Sequence, residues 1–474
     1  GQKEKNQKQK LKMKNIRQMK NNLFILIFLI FKALDGSSQN FGSDYIEVYF
    51  TQSITQRYQS ESNYPYKTGG PILKERILRQ INEAKNTIDL CMYNNSDNNI
   101  VSAIKSAQTR GVRVRYIADQ ETANSAINGS VNFKILYANP GEGIMHSKFI
   151  IADANTTDAN LMIGSSNFTN NGFNDDANNI LFIKNTDLAQ AFTIEFEEMW
   201  DSSGPIPGNN PKSGEDKTDN TPHHFMIAGI PIELYFSPSD HTEEHIDEIL
   251  LSAQFNIRFA IYTFTSDLLS SRIVQKKNEG ILVRGITDNN DGSFGKLLYM
   301  QQNGVDVLDH TPSSLLHHKY AVIDAEYADS DPVVITGSHN WTYSANNIND
   351  ETTLFIHDMN LAKLYAAEFN SRYCELAPWD CNLIATHEQE QLEMKMFPSL
   401  AADYVHIELD RIPNGPISII VYNEAGLPVL FKKNENITQS LNFEIDIKAL
   451  PKGIYFIKLL TSDKFEKTQK IIKL

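Results

Sequence analysis

The sequence predicts an α/β protein in which two tandem α/β sandwich halves form one pseudo-twofold unit, followed by a small all-β sandwich. Three observations carry that expectation. His146-Ser147-Lys148 with Asp153 recurs as His317-His318-Lys319 with Asp324, the same His-x-Lys-x4-Asp spacing twice. Helix-like and strand-like stretches alternate in the same order around each copy, which is the pattern of layered α/β architecture. From about Met394 the pattern changes to short strands separated by turn residues, as in a sandwich. At 474 residues the chain has room for two or three domains, each able to bury a core.

Residues 1–39 read as an N-terminal extension and signal peptide. Met19-Lys20-Asn21-Asn22 leads into nine apolar residues at 23–31, then Gly36-Ser37-Ser38-Gln39. Nine is well short of the about 20 residues that a helix needs to cross roughly 30 Å of hydrocarbon. The basic start and small-residue exit suit a secretory leader cleaved near Ser38, with a retained membrane anchor as the alternative.

The first half spans 44–201. Apolar residues at helical spacing predict a helix over 72–81, the run Ile88-Asp89-Leu90-Cys91-Met92-Tyr93 a buried strand, and 100–109 a second helix stopped by Arg110-Gly111 before a strand at 112–118. Residues 202–224, rich in Pro, Gly, Asn and charge, read as an exposed linker. The second half, 225–385, repeats the order with a helix at 243–253, a strand at 257–264, a helix at 267–278, Glu279-Gly280 and a strand at 281–287. Strand sequences echo as well: Ile46-Glu47-Val48-Tyr49-Phe50 matches Ile232-Glu233-Leu234-Tyr235-Phe236, and the run at 88–93 matches Ile257-Arg258-Phe259-Ala260-Ile261-Tyr262. The last part, 394–474, carries strands such as 405–409 and 417–422 around the turn Pro413-Asn414-Gly415-Pro416.

Charge and cysteine content narrow the function classes. The formal net charge is −14, and because residues 1–39 hold nine Lys or Arg against two Asp or Glu, a chain beginning at Asn40 carries −21. Such a chain repels a phosphate backbone at long range, which leans against a nuclease. Cys374 and Cys381 are close enough in sequence to join in an oxidising compartment, and Cys91, within an apolar run, reads as a small buried hydrophobe. With no Cys-x2-Cys pair, no zinc site is expected, and no cofactor is called for. His223, His224, His241, His245, His310, His357, His387 and His406 read as ordinary surface or core histidines, while His318 and His339 fill x positions and should face away from the motif residues.

The paired motif carries the chemistry. Residues two apart on a strand share a face, so His146 lies with Lys148 and His317 with Lys319. Pairing the halves would gather two imidazoles and two ammoniums. One neutral His can attack phosphorus to form a phosphohistidine, the other can protonate the leaving oxygen and then activate water, and the lysines neutralise the nonbridging oxygens without a metal. Each copy is followed by Gly-Ser-x-Asn: Gly164-Ser165-Ser166-Asn167 and Gly337-Ser338-His339-Asn340. Their glycines allow close backbone approach, and Ser165, Asn167, Ser338 and Asn340 are candidates to bind phosphate or to support the histidines and lysines. Asp153 and Asp324 are expected to accept structural hydrogen bonds near the interface of the halves.

These motifs resemble those of the phospholipase D superfamily, over residues 44 to about 375. The resemblance implies one active site built from both copies, with an acidic residue downstream of Gly-Ser-x-Asn orienting a catalytic His. Eleven residues past Asn340 stands Glu351, which fits; eleven past Asn167 stands Asn178, which departs, with Asp175 or Asp176 as substitutes. The resemblance also implies that His146 is the nucleophile and His317 the acid. Phe397-Pro398-Ser399, Asp403 and the closing strands resemble the C-terminal sorting domain of the bacterial type IX secretion system, whose machinery would then be a partner. Together these features predict a secreted or cell-surface hydrolase of phospholipid head-group phosphodiesters that touches a membrane surface. The alternatives are a secreted nuclease of the same superfamily, with nucleic acid as its substrate, and a surface-displayed binding protein.

Overall fold

A computed structural model describes residues 45–58, 66–288, 295–379, 394–409, 417–424, 426–434, 442–461 and 466–474. The leader expected at 1–39 and Cys381 lie outside the described residues; Cys374 is disulfide-bonded and Cys91 is free and buried. Two compact units divide after Leu376.

The first half of the larger unit runs β1 (Ile46–Phe50), β2 (Tyr66–Thr68), α1 (Gly70–Glu83), β3 (Thr87–Met92), α2 (Asn98–Thr109), β4 (Arg113–Asp119), β5 (Lys134–Ala138), β6 (Lys148–Ala152), β7 (Asn160–Gly164), α3 (Asn170–Asn174), β8 (Asn179–Ile183) and α4 (Thr186–Trp200). Its sheet has the order β2-β1-β8-β7-β6-β3-β4-β5. Leu73, Ile77 and Ile81 of α1 recur on one helical face and are fully buried against the sheet. Asp97 caps α2 by accepting from the backbone N–H groups of Asn99 and Ile100, and Gly111, at φ 96°, ends the turn that follows it. Helices cover both faces of the central strands, so β3, β6 and β8 are buried along their length and show no polar alternation.

The second half runs β9 (His224–Ile227), β10 (Ile230–Ser237), α5 (Thr242–Ser252), β11 (Asn256–Ile261), α6 (Asp267–Asn278), β12 (Leu282–Thr287), α7 (Leu297–Gln302), β13 (Asp306–Asp309), β14 (Lys319–Ile323), β15 (Val333–Gly337), α8 (Tyr343–Asn347), β16 (Glu351–Ile356) and α9 (Met359–Leu376). Its order, β9-β10-β16-β15-β14-β11-β12-β13, repeats that of the first sheet strand for strand. Gly280, at φ 88°, ends α6 as Gly111 ends α2. The edges differ. β2 lies parallel to β1, whereas β9 folds back on β10 as a hairpin through Ala228 and Gly229 at positive φ.

The segment at 202–224 is less open than its composition predicts. Much of it is exposed, but Gly214, Lys217 and Thr221 are buried, because Lys217 reaches carboxylates beneath the surface. Among the described residues no helix is long and apolar enough to cross a membrane.

The second unit is all β: β17 (Met394–Phe397), β18 (Leu400–Ala401), β19 (Tyr404–Leu409), β20 (Ile417–Asn423), β21 (Pro428–Asn434), β22 (Asn442–Asp446), β23 (Gly453–Thr461) and β24 (Glu466–Lys473). These form a three-stranded sheet, β17-β19-β22, and a five-stranded one, β18-β24-β23-β20-β21. Alternate residues Val405, Ile407 and Leu409 meet Ile419, Val421, Ile457 and Leu459 in its core.

Candidate active site

The two motifs occupy equivalent places at the centre of the larger unit, where β6 and β14 begin. Each histidine lies two residues before its strand, in a segment held from both sides. Within its own half, the carboxylate of Asp119 accepts from the Met145 N–H at 2.9 Å and that of Asp288 from the Leu316 N–H at 2.5 Å. From the opposite half, His146 N–H donates to the Asp350 carbonyl at 2.9 Å and Asp350 N–H to the Ile144 carbonyl at 3.0 Å, while Ala177 N–H donates to the Leu315 carbonyl at 2.8 Å. Asn349 Oδ1 accepts from Ile144 N–H and Asp176 Oδ1 from Leu315 N–H, each at 3.1 Å. Each segment is thereby pinned by residues of the opposite half.

The same exchange sets the imidazoles. His146 Nδ1 lies 2.9 Å from both carboxylate oxygens of Glu351, and His317 Nδ1 lies 2.9 Å from Asn178 Oδ1. Each histidine is therefore oriented by the half that does not contain it. Ser338 Oγ, which accepts the Thr352 N–H at 3.0 Å, donates to Glu351 Oε2 at 2.6 Å. Ser165 Oγ likewise accepts the Asn179 N–H at 3.1 Å and donates to Asn178 Oδ1 at 2.8 Å. Burial raises the Glu351 pKa, and the charge of Lys148 and the hydrogen bond from Ser338 oppose that shift in favour of its carboxylate. The Asn178 amide is fixed by donating Nδ2–H to the Gly172 carbonyl at 3.0 Å, which turns its oxygen towards His317. In both pairs Nδ1 carries the proton and Nε2 keeps the lone pair.

These contacts correct the reading of the first half. Asn178, set aside for its missing charge, is the His317 partner, and Asp176 holds the backbone ahead of that histidine instead of orienting the ring. The hydroxyls of Ser165 and Ser338 brace Asn178 and Glu351. Gly164 and Gly337 serve the same end: a Cβ would lie 2.2 Å from the Asn179 carbonyl oxygen and 2.0 Å from that of Thr352, so only glycine lets β7 and β15 press against the strands that carry the acceptors.

The lysines are buried beside the histidines, Lys148 fully and Lys319 to 2% exposure. Lys148 Nζ donates to the His146 carbonyl at 2.6 Å and Lys319 Nζ to the His317 carbonyl at 2.8 Å. Among the described residues neither forms an ion pair. Tyr93 and Tyr262 wall each site: their rings lie 4.9 and 5.2 Å from His146 and His317, and 5.0 and 4.9 Å from the two ammoniums. Burial lowers the Lys148 pKa to about 7 against the pull of Glu351 and Asp119. Burial, then the charge of Lys148, holds Lys319 well below the usual lysine range. Burial and both ammoniums hold each histidine well below its ordinary value, so both imidazoles are neutral near pH 7. Two buried lysines with donors to spare beside two neutral imidazoles can receive an anion.

Asp153 and Asp324 are not part of this cluster. At the far ends of β6 and β14, both at φ 52°, they bond within their own halves. Asp153 accepts from the N–H groups of Lys85, Asn86 and Thr87 at 2.8, 2.6 and 2.9 Å. Asp324 accepts from those of Gln254, Phe255 and Asn256 at 2.9, 2.8 and 2.8 Å. They fix the entries to β3 and β11 and are not at the meeting of the halves. Asn340 Oδ1 accepts the Thr263 N–H at 3.3 Å, and Asn167 Oδ1 is buried without a hydrogen-bond partner among the described residues. His318 turns to Asn179 and Glu368, each at 3.2 Å. His339 is buried, and neither ring nitrogen has a partner among the described residues.

Comparison with known proteins agrees with this doubling. A protein-family model described as cardiolipin synthase, PLD-like domain, matches residues 77–200 and 246–373, once in each half. The secretion system C-terminal sorting domain matches residues 395–474. A mitochondrial cardiolipin hydrolase of Xenopus tropicalis is 31% identical over 153 residues, covering 31% of this chain and 70% of the relative. A phospholipase D of Rickettsia typhi is 29% identical over 154 residues, covering 31% and 72%. Among solved structures, a phosphatidylserine synthase from Haemophilus influenzae Rd KW20 aligns with a TM-score of 0.49 at 14% identity, covering 65% of this chain and 85% of that one.

Proposed function

The chain belongs to the phospholipase D-like family and ends in a type IX secretion sorting domain, and from that premise we propose that this exported phosphodiesterase hydrolyses phospholipid head-group esters through a phosphohistidine on His146. One observation carries the proposal: two neutral imidazoles, each held by Nδ1 on an acceptor from the opposite half, stand over two buried lysines with donors to spare.

The unequal acceptors assign the roles. A carboxylate stabilises the positive charge that His146 gains as Nε2 attacks phosphorus, whereas the neutral Asn178 oxygen gives His317 less such help and leaves it the better acid. The P–N bond forms as the P–O bond to the leaving alcohol breaks, and His317 Nε2 supplies that oxygen with a proton. Binding of the anionic diester raises the His317 pKa to make this donor available. Water then attacks phosphorus, giving a proton back to His317 Nε2, and the P–N bond breaks to free His146. Lys148 and Lys319 hold the nonbridging oxygens throughout, the task a divalent cation performs elsewhere.

A phospholipid substrate is supported by the strongly acidic chain and by relatives named for lipid hydrolysis. The test is to incubate the purified chain in EDTA with phosphatidylcholine vesicles, with cardiolipin vesicles, and with single- and double-stranded DNA. Head-group release is expected from wild type and is expected to vanish in His146→Ala and His317→Ala, with acid quenching trapping phosphate on His146. Cleavage of DNA without head-group release would establish the nuclease instead.

A further inference from the structure

The segment between the halves contains a buried charge that the mechanism above leaves unused. Lys217 is fully enclosed: its Nζ donates to Glu195 Oε1 at 2.6 Å and to the Ser237 carbonyl at 2.8 Å, and stands 3.1 Å from Asp350 Oδ1. Glu195 belongs to α4 in the first half, whereas Ser237 ends β10 and Asp350 precedes β16 in the second. Gly214, three residues earlier, donates its backbone N–H to the same Asp350 Oδ1 at 2.7 Å. It stands at φ 56°, and a Cβ would come within 2.8 Å of Pro140 Cβ and 2.9 Å of the Ile348 carbonyl oxygen. The linker thus enters where no side chain fits, to reach one carboxylate.

That carboxylate sits at the junction on which the nucleophile depends. The Asp350 carbonyl accepts from the His146 N–H at 2.9 Å and from Ser147 Oγ at 3.2 Å, its N–H donates to the Ile144 carbonyl, and the next residue is Glu351. The equivalent position beside Asn178 is Ala177, so the pair around His317 has no such clamp. Joining two halves does not require buried ions, since apolar residues of similar volume serve stability as well or better. An ionic clamp on Asp350, where the other half has Ala177, is a device for position.

We infer that Lys217 is a positioning residue for the reaction: the linker clamps Asp350, and Asp350 sets the two segments that carry His146 and Glu351. This goes beyond the roles given to the motif residues and rests on His146 and Glu351 forming the nucleophilic pair.

Lys217→Met alone strands Glu195 as an unpaired buried carboxylate, so the decisive variant is Glu195→Gln/Lys217→Met, which removes the ammonium with its first-half partner and leaves Asp350 held only by the Gly214 N–H. Two readouts are taken on the full chain. One is hydrolysis of bis(p-nitrophenyl) phosphate; the other is the low-field proton resonance of His146 Nδ1–H, identified by its absence from His146→Ala. The double variant is expected to melt below wild type but to stay folded at the assay temperature, to lose about ten- to a hundredfold in kcat with KM within about twofold, and to show its resonance shifted or broadened away. A double variant with wild-type kcat and an unmoved resonance overturns the inference. Should wild type show the resonance but no phosphodiester turnover, the functional reading fails, and the clamp is judged on the resonance alone.

Discussion

At the scale of single residues, the site is symmetric in geometry and unequal in charge. Glu351→Gln keeps the shape of the acceptor but removes its charge, and is expected to lower kcat by about 10²- to 10³-fold, in the range general acid–base and charge stabilisation supply. Asn178→Ala removes only orientation and is expected to cost about tenfold. Steady-state rates on one diester check both, and an equal loss in the two variants would remove the basis for telling nucleophile from acid. The lysines set the pH range. Lys148, lowered to about 7 by burial, is charged below that pH and neutral above it, so kcat/KM is expected to fall above about pH 7 as the free enzyme loses the charge that receives phosphate. A profile that stays flat to pH 9 would exclude Lys148 as that charge. The family resemblance located Glu351, because the count of eleven residues past Asn340 that it implies lands on a carboxylate. The same count located Asn178, yet its neutral side chain looked like a failure; only the fixed amide shows that an oxygen, not a charge, is what His317 requires. Tyr93 and Tyr262 closed the two matched strand echoes, a signal present in the sequence whose meaning depends on a ring packing that spacing does not reveal.

At the scale of elements, the doubled pattern of helix, strand and glycine stop was readable because buried parallel and antiparallel strands leave long apolar runs and αL positions select glycine. α6 occupies Asp267–Asn278 and α1 extends two residues beyond each end of its predicted span. The repeated aspartates were readable as acceptors but not as to place, since their left-handed backbone and three N–H partners are tertiary facts. Asp153→Ala and Asp324→Ala each strand backbone donors and remove the side-chain hydrogen bonds that hold a non-glycine residue at φ 52°. Each is expected to destabilise by roughly 2–4 kcal/mol while the folded fraction keeps its kcat. Thermal melts paired with active-site titration check this; a large kcat loss at full occupancy would return these residues to the chemistry. The linker was the least legible element, because its composition reads as solvated and the burial of Lys217 depends on carboxylates far away in sequence.

At the scale of the whole molecule, catalysis and address occupy separate compact units, each with its own core. A chain ending at Glu393 keeps every residue of the site and is expected to hydrolyse diesters at the wild-type kcat when purified, while no longer reaching the cell surface or medium in the producing bacterium. Rates on the truncated protein and fractionation of the cells check the two halves of that statement; loss of activity would mean that the sorting domain supports the site.

The crossing of the histidine supports has a last consequence. Neither half holds a complete acid–nucleophile pair, and each ring is aimed only after the other half has folded onto it. A chain in which one half has not folded lacks the oriented pair. The phosphodiesterase site therefore exists only in the finished molecule, and the wiring of the fold delays its chemistry until both halves are in place.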